Sequence, residues 1–391
     1  MSTATSSCRS GSTPEATRPG AARDWCARRL EVADVRCWDR AALDLPPGLV
    51  LLTGPNGAGK TSLVEAVVLG CLGVSPRTAR EAEVVRRGAP ALHVTLDLDG
   101  PPGPQRREIG FAPGAGRRLR RDGVPVRALG DWRARAVLVF LPDELRAVKG
   151  PPAARRRALD RVLEASTPGF ADDLVGYQRA LAQRNALLRR VRAGQASEDS
   201  LPAWEAQMAA LGARVAAARR AGVAALAGPF AHWLGELGGG PAGRLELEPS
   251  PSGREDVHEA TLEAYLLRTL AERRPREIAA AQTLSGPHRD DLLVAAGPAD
   301  LRREGSQGEQ RTAALALLLA ARDHLRATAT RPILLLDDVL SELDPRRRRL
   351  LLEAVRDGGQ TIVTTADPGA ADALAAPPDA LVRVEAGRLA T

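Results

Sequence analysis

The run Gly54-Pro55-Asn56-Gly57-Ala58-Gly59-Lys60-Thr61 has the spacing G-x-x-x-x-G-K-T, the pattern of a loop that wraps a phosphate chain. Its glycines let successive backbone N–H groups turn inward toward phosphate oxygens. Lys60 carries the charge that reaches the terminal phosphates, and the Thr61 hydroxyl is placed to ligate Mg²⁺. The flanks fit this chemistry. An apolar strand, Leu49–Leu52, precedes the loop, and Ser62–Leu69 reads as a helix whose positive dipole end would face the phosphates. Lys60 is one of two lysines in the chain, the other being Lys149, so its position is no by-product of a lysine-rich composition. Residues 54–61 are therefore predicted to hold ATP.

A second acidic element completes such a site. Ile333-Leu334-Leu335-Leu336-Asp337-Asp338 reads as a buried strand ending in two carboxylates. Asp337 would stand near the Mg²⁺, and Asp338 would polarise the attacking water. Lys60, Asp337 and Asp338 are thus the catalytic candidates, with Thr61 and Asp337 as the metal ligands. Upstream, Ser306-Gln307-Gly308-Glu309-Gln310 opens an apolar helix, Ala313–Ala321, and downstream stands Ser341-Glu342-Leu343-Asp344. Ser306 alone reads more readily as a helix cap. In this order, however, the segments resemble the signature, Walker B and D-loop of ABC-type ATPases. There a Ser hydroxyl, a Gly backbone and a helix N-terminus bind the γ-phosphate held by a second subunit. The resemblance implies contacts from Ser306 and Gly308 in trans, a head-to-tail homodimer, and ATP as the dimerising ligand. The strand Thr361–Thr365 ends where such ATPases place a switch His, so Thr364 or Thr365 would lie near the γ-phosphate. Generic members carry Glu where Asp338 stands; the shorter carboxylate predicts slow turnover.

These motifs need a strand–helix framework, and the rest of the chain supplies one. Residues from Leu30 to Leu52 read as two strands about the turn Pro46-Pro47-Gly48. Short strands follow over Ala91–Leu98, Arg107–Phe111 and Ala136–Leu141, with a hairpin at Asp122-Gly123. Beyond Pro142 the apolar residues fall at helical spacing: Leu174, Tyr177, Leu181 and Leu188; Trp204, Met208, Leu211 and Val215; Leu262, Tyr265, Leu266 and Leu270. Helices of ordinary globular length are expected there, interrupted by the Gly/Pro-rich stretch Gly235–Gly253, with Leu245–Leu247 as a candidate strand. The predicted fold is α/β, an ABC-type P-loop ATPase head with an inserted, mainly helical lobe. The expected divisions are a disordered tail over 1–26, ATPase segments over 27–141 and 282–391, and the helical lobe over 142–281.

With 391 residues, 44% of them hydrophobic, the chain has globular composition. The net charge of +7 rests on arginine and favours a polyanionic partner such as nucleic acid. Cys8, Cys26, Cys37 and Cys71 form no C-x-x-C pair and suit a reducing compartment. No run approaches the roughly 18 apolar residues of a membrane span, and the Ser/Thr/Gly-rich start lacks a signal-peptide core. A cytoplasmic, nucleoid-associated protein is expected.

From about Leu30 onward the chain resembles the RecF family. The resemblance runs through Gly54–Glu65, Val148–Pro151, Arg155–Asp160, Tyr177–Leu188, Gly305–Thr312 and Asp337–Asp344. Its most family-specific stretch is Ser285-Gly286-Pro287-His288-Arg289-Asp290-Asp291. It departs from the family at Val35-Arg36-Cys37-Trp38, where the usual Asn is lost, and at Leu141-Pro142-Asp143-Glu144. The resemblance implies a weak, DNA-stimulated ATPase of recombinational repair and replication. Such a protein would dimerise on ATP, bind double-stranded or gapped DNA, and act with RecR and RecO in loading RecA. Arg155, Arg156 and Arg157 are candidate DNA contacts, or a solvated helix face, while Arg36 and Trp38 are candidates for the adenine. A transporter ATPase is disfavoured by the long helical segment between Lys60 and Ser306. The absence of heptad arms and of a zinc-hook C-x-x-C disfavours the longer-armed repair ATPases.

Overall fold

The computed structural model describes residues 24–134, 137–238, 240–250, 259–328, 331–356, 358–374 and 376–390. Most of the expected N-terminal tail, and Ala136 of the expected strand, lie outside the described residues. Trp25 and Cys26, which the expected tail included, are buried.

The first strands form an antiparallel sheet. β1 (Cys26–Val35) and β2 (Trp38–Asp44) make a tight hairpin, where sequence reading expected one strand before Pro46. The turn needs Asp34 and Arg36 at positive φ, which their types do not announce. β3 (Leu49–Thr53) leads into α1 (Lys60–Leu72), and the antiparallel sheet continues through β4 (Leu92–Asp99), β5 (Gln105–Ala112), β6 (Gly116–Arg121) and β7 (Val124–Pro125). Its order is β2-β1-β4-β5-β6-β7, with the expected turn at Asp122-Gly123.

After a short α2 (Leu129–Trp132), β8 (Val137–Phe140) joins a second sheet. The helical part follows: α3 (Pro152–Ser166), α4 (Phe170–Arg192), α5 (Leu201–Gly238), β9 (Gly243–Glu248) and α6 (Glu259–Ala280). The expectation of ordinary helix lengths fails at α5, which has 38 residues and runs through Pro229. At 1.5 Å per residue it is roughly 57 Å long. Packing of α5 against α4, α6, α7 and β9 outweighs the local cost of its Gly and Pro residues. Then come β10 (Asp291–Ala296), β11 (Ala299–Asp300), α7 (Gln307–Ala327), β12 (Ile333–Asp337), α8 (Pro345–Arg356), β13 (Thr361–Thr365), β14 (Ala380–Glu385) and β15 (Arg388–Ala390).

The central sheet has the order β15-β14-β3-β13-β12-β8, and β14, β3, β13, β12 and β8 are parallel. Every residue of β3, β12 and β13 is buried, as strands covered on both faces should be, with β3 and β12 aliphatic up to their last residue and β13 carrying three threonines. Between the two large sheets lies α1, buried along nearly its whole length; Gly70 lets it approach Leu96 of β4, where a Cβ would stand 2.7 Å from that side chain. The opposite face of the central sheet packs on α7, α3 and α5 in a core that runs on into the helical part. A small third sheet, β11-β10-β9, pairs Gly243–Glu248 with Asp291–Ala296 and so joins the helical part to the strand that leads toward α7.

Candidate nucleotide site

Parallel alignment brings the C-terminal ends of β3, β12 and β13 to one edge of the sheet, where open α/β sheets bind ligands. Residues 54–61 leave β3 there and pass directly into α1. Pro55, Asn56 and Gly57 are exposed. Ala58 N donates to Pro55 O, and Ser62 N and Leu63 N donate to Gly59 O. Among the described residues, the amides of Gly57, Gly59, Lys60 and Thr61 have no protein acceptor. Four free N–H groups at a helix N-terminus make an anion cradle. The Lys60 ammonium donates to Gly54 O (2.6 Å) and Pro55 O (2.9 Å), using two of its three protons. Burial pushes its pKa below the ordinary lysine value, while Asp338 and Asp337 oppose the shift.

The loop is shaped from beneath. Gly59, at φ 110°, sits where a Cβ would come within 2.8 Å of Cys37 Sγ and Trp38 Nε1. Trp38 is wholly buried and donates from Nε1 to Gly59 O at 3.0 Å. It therefore supports the phosphate loop and offers no face to an adenine, which corrects its candidacy. Arg36 is likewise committed. It grips the buried carboxylate of Glu65 through Nε (2.9 Å) and Nη2 (2.8 Å), and donates to Glu83 O.

Across from the loop, Thr61 Oγ1 lies 2.9 Å from both carboxylate oxygens of Asp337. Thr364 Oγ1 donates to Asp337 Oδ1 at 2.7 Å and accepts from Asp338 N at 3.0 Å. Burial raises the pKa of Asp337, opposed by the hydroxyls of Thr364 and Thr61. Asp338 holds φ 50°, and its Oδ1 is buried without a partner among the described residues. A hydroxyl and a carboxylate converging beside an orphaned carboxylate oxygen form a hard-oxygen donor set, which fits Mg²⁺ better than any soft metal. Thr61 and Asp337 are the residues that would hold it.

Ser306 and Gly308 stand apart from this group. Ser306 is the N-cap of α7 in a reciprocal capping box: its Oγ accepts from Glu309 N, and Glu309 Oε2 accepts from Ser306 N at 2.8 Å. The helix-cap reading of Ser306 therefore describes its contacts within this chain. No hydrogen bond or ion pair joins Ser306 or Gly308 to the phosphate loop among the described residues, and both are exposed. Ser341, on the turn after β12, donates to Asp338 O at 2.9 Å, while Asp344 caps the start of α8 by accepting from Arg347 N.

The arginine triplet divides. Arg155 is buried against Asp291, with Nε 2.8 Å from Oδ1, and cannot contact DNA. Half-buried Arg156 donates to Asp290 O, and only Arg157 is exposed. The Gly286–Asp291 motif forms the turn that Arg155 and Arg156 grip. Arg219 of α5 joins Asp160 of α3 through two bonds and donates to Pro287 O. Tyr177 Oη lies 2.7 Å from His288 Nδ1, and His288 Nε2 lies 3.2 Å from Thr283 O. These tertiary partners, like Trp38 beneath the loop, carry no short-range sequence signal.

Phosphate loop, acidic strand end and capped signature helix on a parallel sheet define an ABC-type P-loop ATPase head. The DNA replication and repair protein RecF of Streptomyces avermitilis is 39% identical over 353 residues, spanning 86% of this chain and 92% of that protein. The chain belongs to the RecF family. An AAA domain matches residues 29–122. The structure of the recombination mediator protein RecF with ATP, in the RecFOR pathway, has a TM-score of 0.83 at 25% identity, covering 96% of this chain and 99% of that one. An Smc head bound to the C-terminal winged-helix domain of ScpA shares the fold alone, with a TM-score of 0.58 at 14% identity over 92% and 94% of the two chains.

Proposed function

We propose that this protein is an ATP-switched DNA-repair ATPase. It binds ATP on residues 54–61, closes into a homodimer through the Ser306–Gly308 helix end of a second copy, and holds double-stranded or gapped DNA in that state. One observation carries the reading. The phosphate loop offers unclaimed amides at Gly57, Gly59, Lys60 and Thr61, whereas the capped, exposed N-terminus of the signature helix makes no hydrogen bond to the loop among the described residues. A second subunit brings the two together. Bound Mg²⁺ would neutralise charge on the phosphates. Lys60 and the loop amides hold the β- and γ-phosphates, Thr61 and Asp337 supply the oxygen donors, and Asp338 accepts a hydrogen bond from the attacking water. The water oxygen forms the new bond to the γ-phosphorus as the bond to the ADP oxygen breaks.

Family membership supports a place in recombinational repair and replication, with RecR and RecO as partners and RecA loading as the outcome. Weak hydrolysis fits the short carboxylate at Asp338, and stimulation by DNA is what family membership implies. No helix among the described residues is long and apolar enough to cross a membrane, which agrees with a cytoplasmic setting. Light scattering with ATP, with ADP and without nucleotide tests the reading, on wild type and Ser306→Arg, with gapped duplex added in parallel. A dimer that needs ATP and is lost in the variant is expected. A monomer throughout, with DNA present, would overturn the proposal.

A further inference from the structure

Thr364 lies directly beside Asp337 in the parallel register of β12 and β13, and its side chain is completely buried. Its single hydroxyl serves two neighbours at once, donating to Asp337 Oδ1 and accepting from Asp338 N. Thr365 faces the other side of the sheet, as successive strand residues must, and its hydroxyl accepts from Asp367 N instead. The backbone of Asp338 is thus held at both ends, its N–H by Thr364 and its C=O by Ser341. Left-handed φ is uncommon for any residue but glycine and costs of order 1 kcal/mol or more. It persists where the surroundings over-determine it, and here it fixes where the Asp338 carboxylate begins. An unpartnered, buried Oδ1 on that carboxylate is costly unless something binds there.

We propose that Thr364 is a positioning residue of the ATPase. Through one hydroxyl it orients the Asp337 carboxylate toward the cation and locks the Asp338 backbone in the conformation that presents its carboxylate to the attacking water. The proposal rests on the ATP-hydrolysis reading above. The Thr364 hydroxyl bonds to the acidic pair, donating to Asp337 Oδ1 and accepting from Asp338 N. The end of this strand, where related ATPases place a histidine, invites a γ-phosphate contact from Thr364 or Thr365, but both hydrogen-bonding functions of the Thr364 hydroxyl face the acidic pair.

The test uses the full-length protein as wild type, Thr364→Val and Thr364→Ser. Valine keeps the shape and removes the hydroxyl, and serine keeps the hydroxyl. Binding of a fluorescent ATP analogue is measured over a Mg²⁺ series, beside hydrolysis with gapped duplex and the thermal midpoint. For Thr364→Val, affinity for the analogue without Mg²⁺ should stay within about two-fold of wild type, since the loop amides are untouched. The Mg²⁺ needed for half-maximal effect should rise about ten-fold and kcat should fall about ten-fold, as for lost partners of metal ligands. Serine should restore both. Should valine prevent folding, Thr364→Ala removes the same hydroxyl and carries the same expectation. A hydroxyl-free variant with wild-type Mg²⁺ demand and kcat, or a serine variant as impaired as valine, would overturn the proposal. A wild type that binds the analogue with no Mg²⁺ effect and no hydrolysis would instead remove the ATPase reading, a failure recognisable without any variant.

Discussion

Asp337 and Asp338 are adjacent in sequence and unlike in environment. Two threonine hydroxyls hold the first in place, while the second has a strained backbone and an oxygen that nothing among the described residues satisfies. Asp338→Asn keeps the size and the backbone bonds but weakens the acceptor that orients water. Hydrolysis should fall by about a hundred-fold with ATP affinity and ATP-driven dimerisation retained; a titration and a light-scattering run on the same sample check this. His288 offers a pH-dependent counterpart remote from the phosphates. Burial is the main cause that pushes its pKa down from 6.5 to about 4, with the charges of Arg289, Arg156 and Arg219 acting the same way. A depressed histidine is neutral in the fold and takes a proton more readily when unfolded. Its contribution is therefore complete above pH 6.5 and is lost as pH falls from 6.5 through 4. The loss is a few kcal/mol at most. Between pH 7 and pH 4.5 the thermal midpoint of wild type should drop further than that of His288→Gln, whose side chain does not titrate. Parallel pH curves would disprove it. Both carboxylates were legible from the four aliphatics that precede them. The bonds of Thr364 and Tyr177 were not, because cross-strand and cross-helix neighbours are set by register and packing that no local spacing encodes.

Elements were legible where the period was clean. β3 and β12 stood out as aliphatic runs, β13 as the strand that follows them in order, and α1 as an apolar stretch behind a phosphate loop. The length of α5 was hidden because the Gly/Pro-rich stretch from Gly235 reads as a break, whereas packing against α4, α6, α7 and β9 keeps the helix continuous through Pro229 to Gly238. Part of that packing is ionic. Arg184 of α4, fully buried, donates to Glu277 of α6 (2.5 Å) and to Glu205 of α5 (2.9 Å), and Glu205 also pairs with Arg274. Burial opposes the ionised form of Glu205, but bonds from Arg274 and Arg184 more than offset it and lower its pKa. Removing one partner of a buried pair strands the other charge and costs about 3–5 kcal/mol. Glu277→Ala should lower stability by that order in a urea titration, whereas nucleotide affinity at 20–25 °C should not change. The phosphate loop rests on a different core, around α1. A loss of affinity equal to the loss of stability would show that the two cores are not separable in this way. Gly59→Ala reverses the expectation. Its φ of 110° and the closeness of Cys37 and Trp38 mean that the loop itself must shift, so ATP binding should fall about ten-fold or more with only a modest change in the melting midpoint.

At the scale of the whole molecule, the central sheet is covered on both faces, by α1 and the antiparallel sheet on one side and by α7, α3 and the long α5 on the other. A chain read linearly as head, insert and head packs in space as one sheet whose second core is continuous with the inserted helices. In the dimer proposed above, the phosphate loop of one copy meets the signature helix of another, and ATP would control how many copies sit on one DNA. Each phosphate contact releases counterions, so log K falls with log salt at a slope of about −0.9 per contact. A single head gives one slope; two heads closed over one duplex double the contacts. Binding of a short gapped duplex, titrated between 50 and 200 mM salt, should thus show about twice the slope with ATP as with ADP. Ser306→Arg should keep the ADP slope and lose the doubling. Arg157→Ala tests the one exposed member of the triplet: a drop of about one contact per head is expected. Arg155→Ala should instead lower stability, because it strands Asp291. Equal slopes with ATP and ADP would mean that heads bind DNA singly and that nucleotide does not govern assembly on it.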